Sequence, residues 1–294
     1  MTALNPGCGV GVNGLLTPMS TSDAPTAKSI RERLRFPEEG GSLSDFSTDA
    51  GKWLPKDVAK AMIASNAEAI ASLAHRLYAE ADRKLLLVLQ GMDTSGKDST
   101  VEAVFARTPP LNVRVEGFKA PSKRELAHDY LWRVHAKVPA AGEIAVFNRS
   151  HYEDVLVVKV KGYASPEAVD KRYGHINDFE RMLTDTGTTV LKVMLHQSRE
   201  EQAERLRLRL EEPDKRWKFN PGDLEDRALW PEFMDAYETM LRRTSTEHAP
   251  WHVVPADSRK ARKAVIGTLV RDALERMDPH YPDPGYRPGD YDIT

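Results

Sequence analysis

The sequence predicts an α/β fold, a central parallel sheet with helices packed on both faces. Three observations carry this. Five short aliphatic runs punctuate the chain, each too short for a helix and apolar at consecutive positions, as in strands buried on both sides. Serine-led capping signals follow three of the runs and open helical stretches. The first run ends in a glycine-rich turn, G-x-x-x-x-G-K, of the kind that joins a strand to a helix. Strand, turn and helix in alternation build parallel sheets, and such sheets bind ligands at the C-terminal ends of their strands.

In chain order, residues 1–27 are rich in Gly, Pro, Ser and Thr without apolar periodicity and read as a disordered or loosely attached extension. Residues 28–54, with Phe36 and Trp53, read as an arm over the main domain, which runs over 28–280. Val58, Met62, Ile70, Leu73 and Leu77 fall at helical spacing and predict a helix over Lys56–Asp82. The strand Leu85–Gln90 leads into the glycine turn and a helix from Gly96. A second strand spans Asn112–Glu116, and Ser122 with Glu125 forms a capping box for a helix through Lys137. The third strand, Glu143–Asn148, precedes Ser150 and Glu153, and the fourth, Thr189–His196, precedes Ser198 and Glu201, both pairs at capping-box spacing. Trp251–Val254 is the fifth strand, a helix covers about Ser258 to Met277, and the Pro-, Tyr- and Asp-rich residues 281–294 predict an irregular tail.

Bulk properties narrow the function. A net charge of -2 disfavours a broad grip on nucleic acid, so a polyanionic ligand would be held by local charge. No stretch approaches the roughly 20 apolar residues of a membrane span, and no basic start with an apolar core marks a secretory signal. A single cysteine, Cys8, excludes an intramolecular disulfide and a cysteine zinc site, which fits a reducing cytoplasm. His128, His135, His151, His175 and His196 lack metal-ligand spacing.

Gly91-Met92-Asp93-Thr94-Ser95-Gly96-Lys97 has the right context for a phosphate loop: glycines bend the backbone so that N–H groups face phosphate oxygens, and Lys97 adds full positive charge. The usual hydroxyl after the lysine is replaced by Asp98, followed by Ser99, so carboxylates take more of a metal's coordination. Asp93 inside such a loop repels phosphate unless a metal or a proton-bearing nucleophile intervenes. The third strand ends in Asn148, where an aspartate commonly orients magnesium. Arg149 beside it suits bidentate phosphate contact, and Glu153 and Asp154 are candidate metal contacts, Glu153 equally a helix cap. Between about 199 and 230 a basic segment broken by Pro213, Pro221 and Gly222 resembles a phosphate-covering lid. Arg205 and Arg209 share a helical face there, and Lys215 and Lys218 lie in the loop, a row suited to a long polyanion.

These segments, with Gly117-Phe118-Lys119-Ala120-Pro121-Ser122, His128-Asp129-Tyr130-Leu131-Trp132-Arg133, Phe147-Asn148-Arg149-Ser150-His151-Tyr152-Glu153-Asp154 and Trp217-Lys218-Phe219, resemble the second polyphosphate kinase family over roughly residues 30 to 280. Asp98 belongs to that family's pattern. The resemblance implies a three-layer P-loop kinase fold like thymidylate kinase, with a helical lid. It implies phosphoryl transfer between inorganic polyphosphate and a nucleoside mono- or diphosphate, with Mg2+ or Mn2+, in a homodimer or homotetramer. Asp93, Lys97 and Arg149 match essential-type positions, with Gly91, Thr94, Ser95, Gly96, Asp98 and Ser99 on the phosphates. Phe118, Lys119, Pro121 and Asn148 match the nucleotide side, and the Asn148 form resembles the branch acting on AMP and ADP. An ATP-dependent nucleoside monophosphate kinase would share loop, fold and lid, and a non-catalytic nucleotide-binding module the loop alone. The Asn148-Arg149-Ser150 strand end argues against the first. The second would need a water-positioning residue and partner surfaces that the sequence does not identify.

Overall fold

The computed structural model describes residues 25–51, 53–287 and 289–293, so the extension expected over 1–27 lies almost wholly outside the described residues. Five parallel strands form one sheet in the order β2-β3-β1-β4-β5: β1 Lys84–Gln90, β2 Val113–Gly117, β3 Ile144–Asn148, β4 Thr188–His196 and β5 Trp251–Pro255. β1 is central, and its aliphatic run is explained by burial of every residue from Leu85 to Gln90. Leu89 registers with Asn148 on one side and Val193 on the other, so β1 and β3 end level and deliver their exits to one edge.

The helices are α1 Ala27–Leu34, α2 Lys56–Glu80, α3 Lys97–Val104, α4 Lys123–Leu126, α5 Trp132–His135, α6 Val157–Val160, α7 Pro166–Asp185, α8 Arg199–Glu211, α9 Gly222–Ala228, α10 Trp230–Thr244 and α11 Arg259–Met277. Alternation along β1 divides the core between the two faces. Leu85, Leu87 and Leu89 pack with residues of α1, α2 and α11, and Leu86 and Val88 with α7 and α10. The arm expected over 28–54 is built in at the sheet's edge. Thr26 caps α1, Arg35 forms an antiparallel bridge with His252, and the Phe36 N–H donates to the Trp251 carbonyl at 2.8 Å.

Local differences from the sequence reading have identifiable causes. β2 begins after Asn112, whose side chain is drawn to the Ala74 carbonyl (3.2 Å). The Ser122–Glu125 capping box forms, yet the helix expected through Lys137 breaks into α4 and α5. Between them the Asp129 carboxylate accepts the Leu131 N–H at 3.0 Å, a local turn that competes with helix. After β3, Ser150 accepts from the Tyr152 N–H and the backbone makes only a 3-10 turn, His151–Asp154, while Glu153 points to Arg149 instead of back to a cap. Ser198 caps α8, but Glu201 binds Arg205 and the Ser198 N–H goes to Asp257, so the reciprocal half of the box is absent.

His252 on β5 is buried, its Nδ1 3.3 Å from the Lys192 carbonyl. Burial pushes its pKa from 6.5 down to about 4, with nearby arginines reinforcing the fall. The fold therefore favours neutral imidazole, and this contribution is present above pH 6.5 and lost as pH falls toward 4. We expect stability to drop on the order of 2–3 kcal/mol across that window from this residue. Thermal unfolding of His252→Gln between pH 7 and 4 should show a flatter profile than wild type; an unchanged profile would remove His252 as a source of acid lability.

Candidate active site

The loop between β1 and α3 is shaped by three residues with positive φ: Gly91 (152°), Thr94 (68°) and Gly96 (96°). A side chain at Gly91 would meet the Leu195 carbonyl at 2.8 Å. At Gly96 it would fall 2.4 Å from the Arg262 guanidinium, which occupies that space. Arg262 is 1% exposed and donates to the Ser95 carbonyl (2.9 Å), Ser99 Oγ (3.0 Å) and Thr100 Oγ1 (3.0 Å). From α8, Arg205 donates to the carbonyls of Thr94 (2.9 Å), Ser95 (3.2 Å), Ala256 (2.7 Å) and Asp257 (2.9 Å). Gln202 reaches the Asp93 carbonyl and Gln197 the Thr94 hydroxyl. The loop is thus held from beneath by side chains on distant elements.

Above it lies a cavity of about 490 Å3 lined by Asp93, Thr94, Gly96, Lys97, Asp98, Ser99, Asn148, Arg149, Arg209 and Lys218, among others. Lys97 Nζ turns inward to the carbonyls of Gly91 (2.8 Å) and Met92 (3.3 Å). Burial, with Arg149 nearby, lowers its pKa. Asp93 accepts from Arg149. Burial alone would raise its carboxyl, but Lys97 and Arg149 outweigh that and hold it below the usual range. Arg149 has a left-handed backbone (φ 63°) fixed by donation of its N–H to the Leu89 carbonyl (3.1 Å). Burial works against its charge, and Glu153 and Asp93 more than compensate, so its pKa rises. Glu153 stands 3.7 Å behind it, with the Gln90 amide turned to donate to its carboxylate (3.0 Å).

A second cavity of about 810 Å3 adjoins the first. The two share Phe118, Lys119, Ala120 and Arg149, and Pro121 lines only the second. Phe118 packs edge-on against Phe147, with the Arg133 guanidinium 5.5 Å from its ring. Arg133, Arg172 and Lys161 line this cavity, the last two paired with Asp154 and Asp226.

Several candidate residues stand elsewhere than the sequence suggests. Arg205 does not contact the polyanion groove: it is 6% exposed and its guanidinium is spent on backbone carbonyls. Lys215 pairs with Glu212 and does not line the loop cavity. Arg209 and Lys218 do line it, Arg209 also binding Asp223 (2.8 Å). Gly91 and Ser95 shape the loop without lining the cavity. Asn148, expected on the nucleotide side, lies in the loop cavity and donates to Asp98. Asp154 faces the second cavity and pairs with Arg172 (2.9 Å), away from the loop. Sequence reasoning missed Asp223 and Arg262. Burial and the charge of Asp93 raise the Asp223 carboxyl to about 6. Its only sequence signal is an acid at a helix start inside a basic, breaker-rich loop. Arg262 sits in a basic helical run that nothing in the spacing distinguishes.

Among the described residues no three His, Cys, Asp or Glu side chains are grouped to hold a metal. The donor set still fits a hard cation that keeps phosphate and water oxygens and takes one or two carboxylates. Asp93 is ionised at the cavity, and the mutual repulsion of Asp93 and Asp223 is what a cation there would relieve.

Because Arg205 holds the loop and Lys218 only faces it, their alanine variants should separate. Arg205→Ala is expected to lose about 2–4 kcal/mol of stability, through buried carbonyls left without donors. Lys218→Ala should stay within about 0.5 kcal/mol of wild type. Indistinguishable melting temperatures for the two would show that the Arg205 bonds are not what keeps the loop in shape.

The family model described as Polyphosphate kinase 2 (PPK2) matches residues 54–282. The AMP/ADP-polyphosphate phosphotransferase of Meiothermus ruber is 53% identical over 208 residues, 71% of this chain and 78% of that protein. The ADP-polyphosphate phosphotransferase of Rhodopseudomonas palustris is 36% identical over 255 residues, covering 80% and 88%. The crystal structure of Polyphosphate Kinase 2 from Arthrobacter aurescens TC1 superposes with a TM-score of 0.84 at 40% identity, over 92% of this chain and 94% of that one. A glycine- and lysine-bearing loop under a cavity lined by Arg209 and Lys218, together with this breadth of similarity, leads to one conclusion: the chain belongs to the polyphosphate kinase 2 family and is a phosphotransferase.

Proposed function

We propose that the protein moves a phosphoryl group between inorganic polyphosphate, bound in the loop cavity beneath Arg209 and Lys218, and AMP or ADP, bound in the larger cavity. The observation that carries this reading is that the two cavities meet at Arg149, which lines both. A donor chain end and an acceptor phosphate approaching from the two sides come together at that guanidinium. The name of the Meiothermus ruber relative, which covers both AMP and ADP, supports the choice of acceptors.

The transfer is direct. The acceptor's terminal phosphate oxygen is already ionised near neutral pH, so it attacks the chain-end phosphorus in line without a general base; the bridging P–O bond to the next phosphate breaks, and the chain leaves one phosphate shorter. Such reactions depend on positioning and on neutralising charge over the equatorial oxygens. Arg149 supplies a fixed bidentate donor at the junction, oriented by Asp93 and Glu153. Lys97 supplies the second positive charge, and its lowered pKa marks a buried cation that an anionic ligand would stabilise. Arg209 and Lys218 attract the chain along the lid, and Phe118 with Pro121 offers apolar surface to the acceptor. A magnesium or manganese ion, held by Asp93 together with phosphate oxygens, would supply further charge neutralisation.

Purified protein with magnesium and long-chain polyphosphate should phosphorylate AMP and ADP. Lys97→Ala is expected to lower the rate at least about 100-fold. Efficient transfer from ATP to AMP with polyphosphate inert would sink the reading in favour of an ordinary nucleotide kinase. Asp93→Asn should raise the magnesium concentration needed for half-maximal rate by about tenfold or more. An unchanged metal dependence in that variant would remove Asp93 from the cation's ligands.

A further inference from the structure

Lys192 occupies the middle of β4 between aliphatic neighbours, and it is 0% exposed. Its ammonium donates to Glu180 Oε2 of α7 (2.6 Å), to the Tyr152 hydroxyl (2.9 Å) and to the Thr244 carbonyl at the end of α10 (2.6 Å). All three of its protons are used. Glu180 is equally enclosed, and its Oε1 accepts from the Tyr152 hydroxyl (2.7 Å) and lies 3.2 Å from His151 Nε2. Tyr152 packs edge-on to Trp251, whose indole N–H donates to Thr244 Oγ1 (2.8 Å). Nothing in the phosphoryl transfer described above uses these groups.

A buried ion pair of this kind adds little net stability over apolar side chains of the same volume. What it does is fix a geometry, and the geometry here is that of the turn His151–Asp154. That turn begins one residue after Arg149 and carries Glu153, the carboxylate behind the Arg149 guanidinium. Ser150 between them is bonded to Gln90 at the end of β1. Arg149 itself has a left-handed backbone, a conformation that a non-glycine residue keeps only where its surroundings over-determine it. On the N-terminal side that constraint is the bond to the Leu89 carbonyl. On the C-terminal side the turn is anchored by the cluster around Lys192.

We propose that Lys192 and Glu180, acting through Tyr152 and His151, are positioning residues for Arg149: they hold the turn after β3 so that the guanidinium stands where the two cavities meet. This rests on the role given to Arg149 above. Disturbing the cluster should therefore let Arg149 and Glu153 drift while the phosphate loop and Lys97, held by α8 and α11, stay in place. The loss should fall on kcat, with KM for polyphosphate unchanged.

The test compares wild type, Tyr152→Phe, the paired Lys192→Met/Glu180→Gln and, as reference, Arg149→Ala, by melting temperature and by steady-state polyphosphate-to-ADP transfer. Tyr152→Phe deletes one oxygen and keeps the ring on Trp251, so it should fold and lose on the order of tenfold in kcat. The paired variant has no buried charge and should recover the melting temperature that either single change lowers. Its kcat should still be down on the order of 10- to 100-fold at wild-type KM. Wild-type kcat in Tyr152→Phe, or in a paired variant that folds, would reduce the cluster to a packing element and overturn the inference, as would a change confined to KM. Full activity in Arg149→Ala would instead overturn the role of Arg149, and this inference with it, so the two failures are distinguishable.

Discussion

The phosphate loop turns through three positive-φ positions, Gly91, Thr94 and Gly96, a path that a free chain would not keep. Two buried guanidinium groups, those of Arg205 and Arg262, make it persist by taking the carbonyls of Thr94 and Ser95 and the hydroxyls of Ser99 and Thr100. With the carbonyls tied down beneath, the loop's upper face is left to the cavity and to Lys97. The arginines come from α8 and α11, helices anchored to the ends of β4 and β5. Their positive charge also lies directly under the loop cavity, so the same side chains that shape the loop add to the positive charge around it. Burial and the neighbouring Arg205 and Arg259 push the Arg262 pKa down to about 9, a measure of how unfavourable this placement is without anionic company.

Across the cavity the constraint is of another kind. Arg149 is held by carboxylates, Asp93 in front and Glu153 behind, and by backbone bonds at the ends of β1 and β3. Positive charge on the loop side and on the β3 side thus faces one small volume, with Arg209 and Lys218 closing it from above. On the function proposed above, such a preset arrangement would stabilise charge as it develops without the groups having to be assembled first.

Much of this was legible in the chain. Buried parallel strands are apolar on both faces, so five aliphatic runs disclosed the sheet, and the glycine–lysine turn disclosed the edge at which the loop cavity opens. Asp93 and Lys97 stood out inside the glycine turn and Arg149 just after the third strand, and the structure brings the three to one cavity. Arg205 was not: its spacing from Arg209 shows that they share a face of α8, but not that one end of the face meets a loop and the other a cavity. Lys215 and Lys218 belong to one basic cluster in sequence and diverge only when the 3-10 turn Arg216–Lys218 points them apart. Asn148 and Asp154 flank Arg149 along the chain, yet the turn sends one into the loop cavity and the other into its neighbour. Lys192 had an audible signal, a lysine inside an aliphatic strand, whose meaning depends on Glu180 and Tyr152 from other elements.

The contact between Gly96 and Arg262 has a consequence for how this chain can vary. The space a side chain would take at position 96 is filled by a guanidinium from the last helix, so the two positions are one object divided between distant stretches of the gene. A mutation that gives residue 96 a side chain expels the arginine, and one that shortens residue 262 leaves a hollow beneath the loop. Neither restores the other, since left-handed backbone at 96 still demands glycine. Inheritance of the loop motif in working form therefore includes a residue that no reading of the motif itself would contain.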